Sequence, residues 1–393
     1  MEAESSYSGI PPQQANAAGG DSSGDTAEAR RYHRLQRRLG AVDLVLGLGV
    51  MGVILATDWT SDFRNFAVRL AGDSHAAALF LYTTILLLLT GFLGLGLDYI
   101  GFRIEHRYRL SHQRLRSWAW DQAKGFALTF LFSQVLVQLL YLLIRMQPQW
   151  WWVTAWAVLL LFSVLLAQIA PVVLFPIFFR FRVLTDEELT SRLTRMCERA
   201  GAKIRGVYEW KLSEKTKKAN AALMGLGSTR RIVISDTLLE TCNHDEIESV
   251  LAHELGHHVY RHMWKAIAVQ GVVTFFGFWC LKLVVRWAAL HWERHYQQID
   301  FANLPLMILV ATAISVLLMP VMNAYSRFNE RQADVYAWQT VGSVQAFCSA
   351  MEKLAALNLA EREPSRWVEA LFHSHPATGR RMRAALAWAD AHR

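Results

Sequence analysis

The chain has 393 residues, 53% of them hydrophobic and 19% charged, with a mean hydropathy of +0.17. That is too apolar for a soluble protein of this length and points to a membrane protein with a sizeable polar part. The net charge of +8 does not point to nucleic acid, because the Lys and Arg residues cluster beside apolar runs as orientation signals do. The scattered Cys197, Cys242, Cys280 and Cys348 form no C-x-x-C pair and read as buried small residues rather than a disulfide framework.

Residues 1–29, rich in Gly, Ser, Ala, Gln and Pro, read as a disordered tail. The tail has no apolar core near its start, so no signal peptide is expected. Arg30, Arg31, Arg34, Arg37 and Arg38 follow. Residues 30–180 read as a transmembrane region of four spans near the 20-residue length a bilayer needs: about 39–57, 76–97, 125–144 and a long 150–179. Trp150, Trp151 and Trp152 anchor the last of these at the interface, and Pro171 and Pro176 should kink its far end. A polar block, 181–263, precedes a hairpin of two more spans within 264–325, about 264–288 and 304–325, the second with Pro320 near its end. A second polar block, 326–393, closes the chain.

Alternate linkers differ in positive charge. Five arginines precede the first span, and Arg103, Arg107, Arg109, Arg114, Arg116 and Lys124 lie between spans two and three. The other linkers carry Arg64 and Arg69, then Arg145, then Arg294. The positive-inside rule places both termini, and with them both polar blocks, in the cytosol.

In the first block, Thr185 with Glu188 reads as a capping box opening a helix to about 200. Strand character follows at Ile204–Trp210, Ala219–Met224 and Arg231–Ser235, with a turn at Gly225–Ser228 between the last two. Asn243 with Glu246 reads as a second capping box, starting a helix that runs toward span five. That helix carries His253-Glu254-Leu255-Gly256-His257, an H-E-x-x-H motif. Residues four apart share a helix face, so both imidazoles can reach one metal ion while Glu254 reaches a water on it, as zinc hydrolases require. A third ligand is then needed. Glu330, just after span six, would complete a His2Glu site, and Asp334 one turn on could accept a ring N–H from a ligating histidine. The alternative for both is a solvated acidic face balanced by Arg327 and Arg331. His258 and His262 fall off the ligand face and read as structural, and Asp43, Lys282 and Arg286, in or at the ends of spans, receive no role.

HELGH, the later S-R-x-x-E-x-x-A-D from Ser326 to Asp334, Asn220-Ala221 ahead of Gly225-Leu226-Gly227 and Arg230-Arg231-Ile232-Val233, and His375-Pro376 with Arg381 occur in an order that resembles the type I CAAX prenyl protease family of integral-membrane zinc metalloproteases. The likeness is carried by about 170–385 and is mainly hydropathic over 30–170. The resemblance implies that His253, His257 and Glu330 bind one Zn2+ per chain, and that Glu254 activates water and hands the proton to the leaving amine. It implies that His375 hydrogen-bonds the oxyanion and Arg381 positions a neighbour or binds a carboxylate. Asn220 and Ala221 would lie on an edge strand that holds substrate by backbone pairing. A bland reading of His373 and His375 is two surface histidines. Eukaryotic members of that family have seven spans, against six here.

The expected fold is therefore mainly α, a multi-pass membrane protein of about six spans with a small α+β zinc metalloprotease domain on the cytosolic side. The expected function is zinc endopeptidase action on peptide or protein substrates, in one version prenylated at a C-terminal cysteine, with the lipid bilayer as a second partner and no nucleic acid. Two alternatives stand beside it: a quality-control protease of the heat-shock type without prenyl specificity, and a non-catalytic zinc-binding membrane scaffold. The Ala/Arg/Leu-rich composition, the short C-terminus and the lack of a recognisable retention signal favour a bacterial inner membrane over an endoplasmic reticulum.

Overall fold

The computed structural model describes residues 26–225, 230–291 and 299–392. Helix α1 (Ala27–Ala56) takes Thr26 as its N-cap, the Thr26 side chain accepting from the Ala29 N–H. The helix thus begins inside the segment read as a disordered tail, whose earlier residues lie outside those described. A short helix that hydropathy does not isolate, α2 (Trp59–Ala71), follows Asp58 in the left-handed conformation. Thr60 fixes it to the bundle, bonding Tyr82 Oη and the Ala302 carbonyl, each at 2.7 Å. Next come α3 (His75–Arg107) and α4 (Leu115–Met146). α5 (Trp151–Ile169) passes through a π turn at Ala170–Leu174 into the four-residue α6 (Phe175–Phe178). Pro171 lacks an N–H, and the helix widens there by one residue in the hydrogen-bond register.

The first polar block folds as a small sheet with helices. It comprises β1 (Phe181–Val183), α7 (Glu187–Arg199), β2 (Val207–Trp210), β3 (Ala221–Met224), β4 (Arg231–Ser235), α8 (Asp236–Thr241) and α9 (His244–Val259). Strand order is β1-β2-β4-β3, with β2 and β4 parallel and both outer pairs antiparallel. Three local readings need correction. The cap of α7 is Asp186, whose Oδ1 accepts from the Leu189 N–H at 2.9 Å, and not Thr185. A carboxylate one residue on competes better for the helix N–H groups than the hydroxyl. β1, only three residues long, has no pattern to betray it, and β2 starts at Val207 rather than Ile204. Of the turn placed at Gly225–Ser228, only Gly225 lies within the described residues, with φ 91°. Leu189, Leu193 and Cys197 form the stripe by which α7 packs on Val207, Ile232 and Ile234 of the sheet. Each fully buried aliphatic there stabilises by about 1.5–3 kcal/mol.

α10 (His262–His291) abuts α9 across Tyr260 and Arg261, the latter with φ 55°. A single helix, α11 (Leu304–Thr340), then crosses the bundle and continues through Pro320 into the second polar block. α12 (Val344–Leu357), α13 (Arg366–Phe372) and α14 (Thr378–Ala391) complete the chain. Among the described residues, six helices are long and apolar enough to cross a membrane: α1, α3, α4, the run 151–178, α10 and the run 301–340. The protein is thus a multi-pass membrane protein. Its bundle interior is held by Tyr82, Tyr141, Trp151 and Phe301, while Phe92 and Leu317, 77% exposed, face outward as lipid contacts do.

The polar blocks sit at the end of the bundle where α1 starts. Arg37 Nη1 donates to Glu361 Oε2 at 2.6 Å, and His33 Nε2 lies 3.0 Å from the Leu359 carbonyl. Lys218 Nζ donates to Glu105 Oε1 at 3.0 Å and to Tyr32 Oη at 3.2 Å, tying β3's lead-in to α1 and α3.

Candidate metal centre

α9 is built to start and stop sharply. Asn243 and Glu246 form the reciprocal capping box expected of them, Asn243 Oδ1 accepting from the Glu246 N–H at 3.0 Å and Glu246 Oε2 from the Asn243 N–H at 2.8 Å. The helix then crosses α11 at very short range. A Cβ on Gly256 would lie 2.8 Å from the Ala333 Cα, so only glycine permits this approach. The crossing sets His253 and His257 opposite Glu330, three residues before Ala333.

His253 Nε2 and His257 Nε2 are 3.3 Å apart. His253 Nε2 is 3.3 Å from Glu330 Oε2, and His257 Nε2 is 3.3 Å from Glu330 Oε1. A tetrahedral zinc ion with bonds of about 2.0–2.1 Å separates its ligand atoms by about 3.3 Å. The three donor groups therefore have the spacing of one face of such a site. Among the described residues, no hydrogen bond of good angle satisfies the buried Glu330 Oε2, although His375 Nδ1 lies 2.8 Å away. Two nitrogens and a carboxylate gathered this way, with an unsatisfied oxygen among them, fit a zinc ion.

Around this set, Asp334 Oδ1 accepts from His253 Nδ1 at 2.9 Å. Arg381 clamps the same carboxylate, Nε to Oδ2 at 2.9 Å and Nη2 to Oδ1 at 2.6 Å, and its Nη2 lies 3.3 Å from His253 Nδ1. Burial opposes charge on His253, but its hydrogen bonds to Asp334 and Glu330 outweigh that and hold the imidazole up at about 9. Burial pushes the Glu254 carboxyl upward, an effect its neighbours only partly offset.

Glu254, His257, Leu223, Gly225 and Arg230 line a cavity of about 980 Å³. β3 is one of the two edge strands of the sheet. Asn220 pairs with Ser235, the Ser235 N–H donating to the Asn220 carbonyl at 2.9 Å. By the alternation of an antiparallel ladder, the backbone groups of Ala221 and Leu223 point away from β4. His375 is exposed, at 64% of its side chain, and still reaches Glu330. His253, His257, Glu330, Asp334, His375 and Arg381 thus come together at one place, with Glu254 beside His257 in the cavity wall, while Ala221 begins β3 and Asn220 immediately precedes it.

His262 lies outside the ligand set, as expected, but directly behind it: its Nδ1 is 3.0 Å from His257 Nδ1, and its Nε2 is 3.0 Å from Gln332 Oε1. His262 is five positions after His257, which on a continuous helix would put them on different faces. The left-handed turn at Arg261 folds His262 back. No Gly or Pro at 258–262 announces that turn, so the sequence carries no signal for it.

Residues 183–389 match the family profile described as peptidase family M48, and residues 10–180 match one described as CAAX prenyl protease N-terminal, five membrane helices. Within the described part of the latter stretch lie four helices long enough to cross a membrane, together with the shorter α2. A Bacillus subtilis protein named uncharacterized metalloprotease YhfN is 33% identical over 77% of this chain and 72% of its own length. A Saccharomyces cerevisiae protein named CAAX prenyl protease 1 is 24% identical over 91% of this chain and 84% of its own. Among solved structures, the crystal structure of S. mikatae Ste24p shares the fold with a TM-score of 0.80 at 23% identity, covering 91% of this chain and 87% of that one.

Proposed function

The chain belongs to peptidase family M48, and on that footing we propose that His253, His257 and Glu330 hold one zinc ion per chain in a membrane metalloendopeptidase whose base is Glu254. The observation that carries the assignment is the set of 3.3 Å separations among the three donor groups. Zinc bound in such a set polarises a substrate carbonyl and brings the pKa of a water to near 7. Glu254, its basicity raised by burial, takes the proton of the attacking water and passes it to the departing amine. The outward backbone groups of Ala221 and Leu223 pair with an extended substrate, with Asn220 beside the scissile bond. His375 swings from Glu330 to donate to the oxyanion. Arg381 holds Asp334, which fixes the ring of His253.

We place the catalytic part in two stretches, 181–263 and 326–393, interrupted by the hairpin 264–325 and preceded by the membrane region 30–180. Arginine-rich linkers support cytosolic termini, and a bacterial inner membrane is the favoured location. For the substrate, the relatives named CAAX prenyl protease support cleavage beside a prenylated cysteine, and quality-control cleavage of membrane proteins is the alternative. Metal analysis of the purified protein, combined with cleavage of prenylated and plain peptides with and without a chelator, tests both levels. One zinc per chain and chelator-sensitive cleavage of the prenylated peptide alone are expected. Equal cleavage of unmodified membrane substrates overturns the prenyl reading, and chelator-resistant cleavage overturns the metal centre.

A further inference from the structure

The two ligating histidines are held in different ways. His253 has an anion behind it, Asp334, itself neutralised by Arg381. His257 has another imidazole, His262, and behind that the amide of Gln332. Resting on the zinc reading above, we propose that His262 is a positioning residue that fixes His257 for the metal through a chain of neutral groups, His257–His262–Gln332.

The proton positions along this chain follow one from another. His257 Nε2 faces His253 Nε2 and Glu330 Oε1, so Nε2 is the ligand atom and must be unprotonated. A neutral imidazole then carries its hydrogen on Nδ1. That N–H lies 3.0 Å from His262 Nδ1, which must therefore accept. His262 in turn carries its hydrogen on Nε2 and donates it to Gln332 Oε1 at 3.0 Å. The reverse assignment, with Gln332 donating through its amide nitrogen, would put a hydrogen on His257 Nε2 and remove it as a ligand. Gln332 thus selects one tautomer two residues away from itself along the chain of bonds.

A bland role for His262 is space-filling at the start of α10. Its surroundings argue for more. His262 is 4% exposed, both its ring nitrogens have partners at hydrogen-bond distance, and its ring stacks on Tyr260 at 5.6 Å with 26° between planes. His257 meets it edge to face, at 72°. A space-filler needs neither nitrogen aligned. Gln332 lies on α11 between Glu330 and Asp334, so the helix that supplies the carboxylate ligand also sets the far end of this chain.

The test uses the full-length protein in detergent, with zinc affinity measured by chelator competition and the site's geometry by the visible spectrum of the cobalt-substituted form. His262→Leu removes the acceptor, and zinc affinity should fall about 10–100-fold with an altered cobalt spectrum. His262→Asn returns an acceptor near the former Nδ1 and should restore most of the affinity. Gln332→Glu leaves His262 in place, gives it an anionic partner, and should tighten zinc. This last variant keeps the idea testable even where His262→Leu does not fold. Equal affinity in wild type, His262→Leu and Gln332→Glu overturns the proposal, as does an Asn variant as weak as Leu. Wild-type protein that takes up no zinc removes the metal centre itself, an outcome distinct from a centre that binds zinc and ignores His262.

Discussion

Glu254 lies beside the three donor groups without belonging to them, in the wall of the cavity and with its carboxyl pushed up by burial. A group in that position removes a proton but adds nothing to holding a metal. Glu254→Gln should therefore lower turnover by about 10²–10⁴-fold while zinc content stays the same. Proteolysis at the wild-type rate in this variant ends the case for Glu254 as base. Asp334 has a different dependence. It is 1% exposed and doubly bound by Arg381, which is itself nearly enclosed. Asp334→Ala leaves that guanidinium buried without its anion, a loss of about 3–5 kcal/mol. A thermal unfolding midpoint unchanged from wild type would show that the pair is not the strut it looks like. Both residues could be singled out from motif spacing. Arg381's attachment to Asp334, 47 positions away, could not.

At the scale of elements, the centre depends on one helix crossing. Gly256 lets α9 and α11 approach until a side chain on one would touch backbone on the other, Cβ to Ala333 Cα at 2.8 Å and to its carbonyl oxygen at 3.1 Å. Backbone cannot rotate aside as a long side chain can. Gly256→Ala should destabilise by about 1–3 kcal/mol, and it should weaken zinc as well by drawing Glu330 from the histidines. Zinc titration alongside calorimetry separates the two effects, and unaffected zinc binding would mean the crossing has slack. The start of α9 is fixed independently. Glu246 is buried, which works against its charge. Lys353 Nζ at 2.6 Å, Ser349 Oγ and the Asn243 N–H outweigh that burial and hold its carboxyl below the ordinary carboxylate range. A depressed folded-state pKa contributes stability that is present above the unfolded value of about 4.3 and is lost as pH falls through the folded value. Thermal stability should thus drop on acidification below about pH 4.3 more steeply in wild type than in Glu246→Gln. Parallel curves for the two proteins would contradict this. The box that caps α9 is readable in four residues, whereas at α7 Thr185 has Glu188 three positions on and fits the capping-box pattern, while the cap the folded backbone takes, Asp186, is followed by Leu189 and shows no such box.

For the whole molecule, the bundle presents its polar blocks at the end where α1 begins, through Arg37–Glu361 and Lys218–Glu105. The short connection between α2 and α3 then belongs at the opposite end, since α1 crosses between the two. A cysteine placed at exposed Lys203 and another at exposed Asp73, in a background with Cys280 and Cys348 changed to serine, should react with an impermeant thiol reagent from opposite sides of a sealed vesicle. Labelling of both from one side would refute the six-crossing arrangement. α2 itself shows where hydropathy stops being informative: at 13 residues it is too short to cross, and its place at the bundle end depends on Thr60, Tyr82 and Ala302 meeting.

The sequence alone determined the apolar runs, their charge asymmetry and the i, i+4 pair of histidines, because hydropathy, linker charge and helix periodicity are local quantities read within about 20 residues. The folded chain decided what depends on distance across it. It showed that α9 and α11 touch at a glycine, that the outward groups of β3 lie on a free edge, and that a left-handed turn at Arg261 brings His262 behind His257. Such contacts are set by packing between segments tens of residues apart, and no local pattern encodes which surfaces will meet.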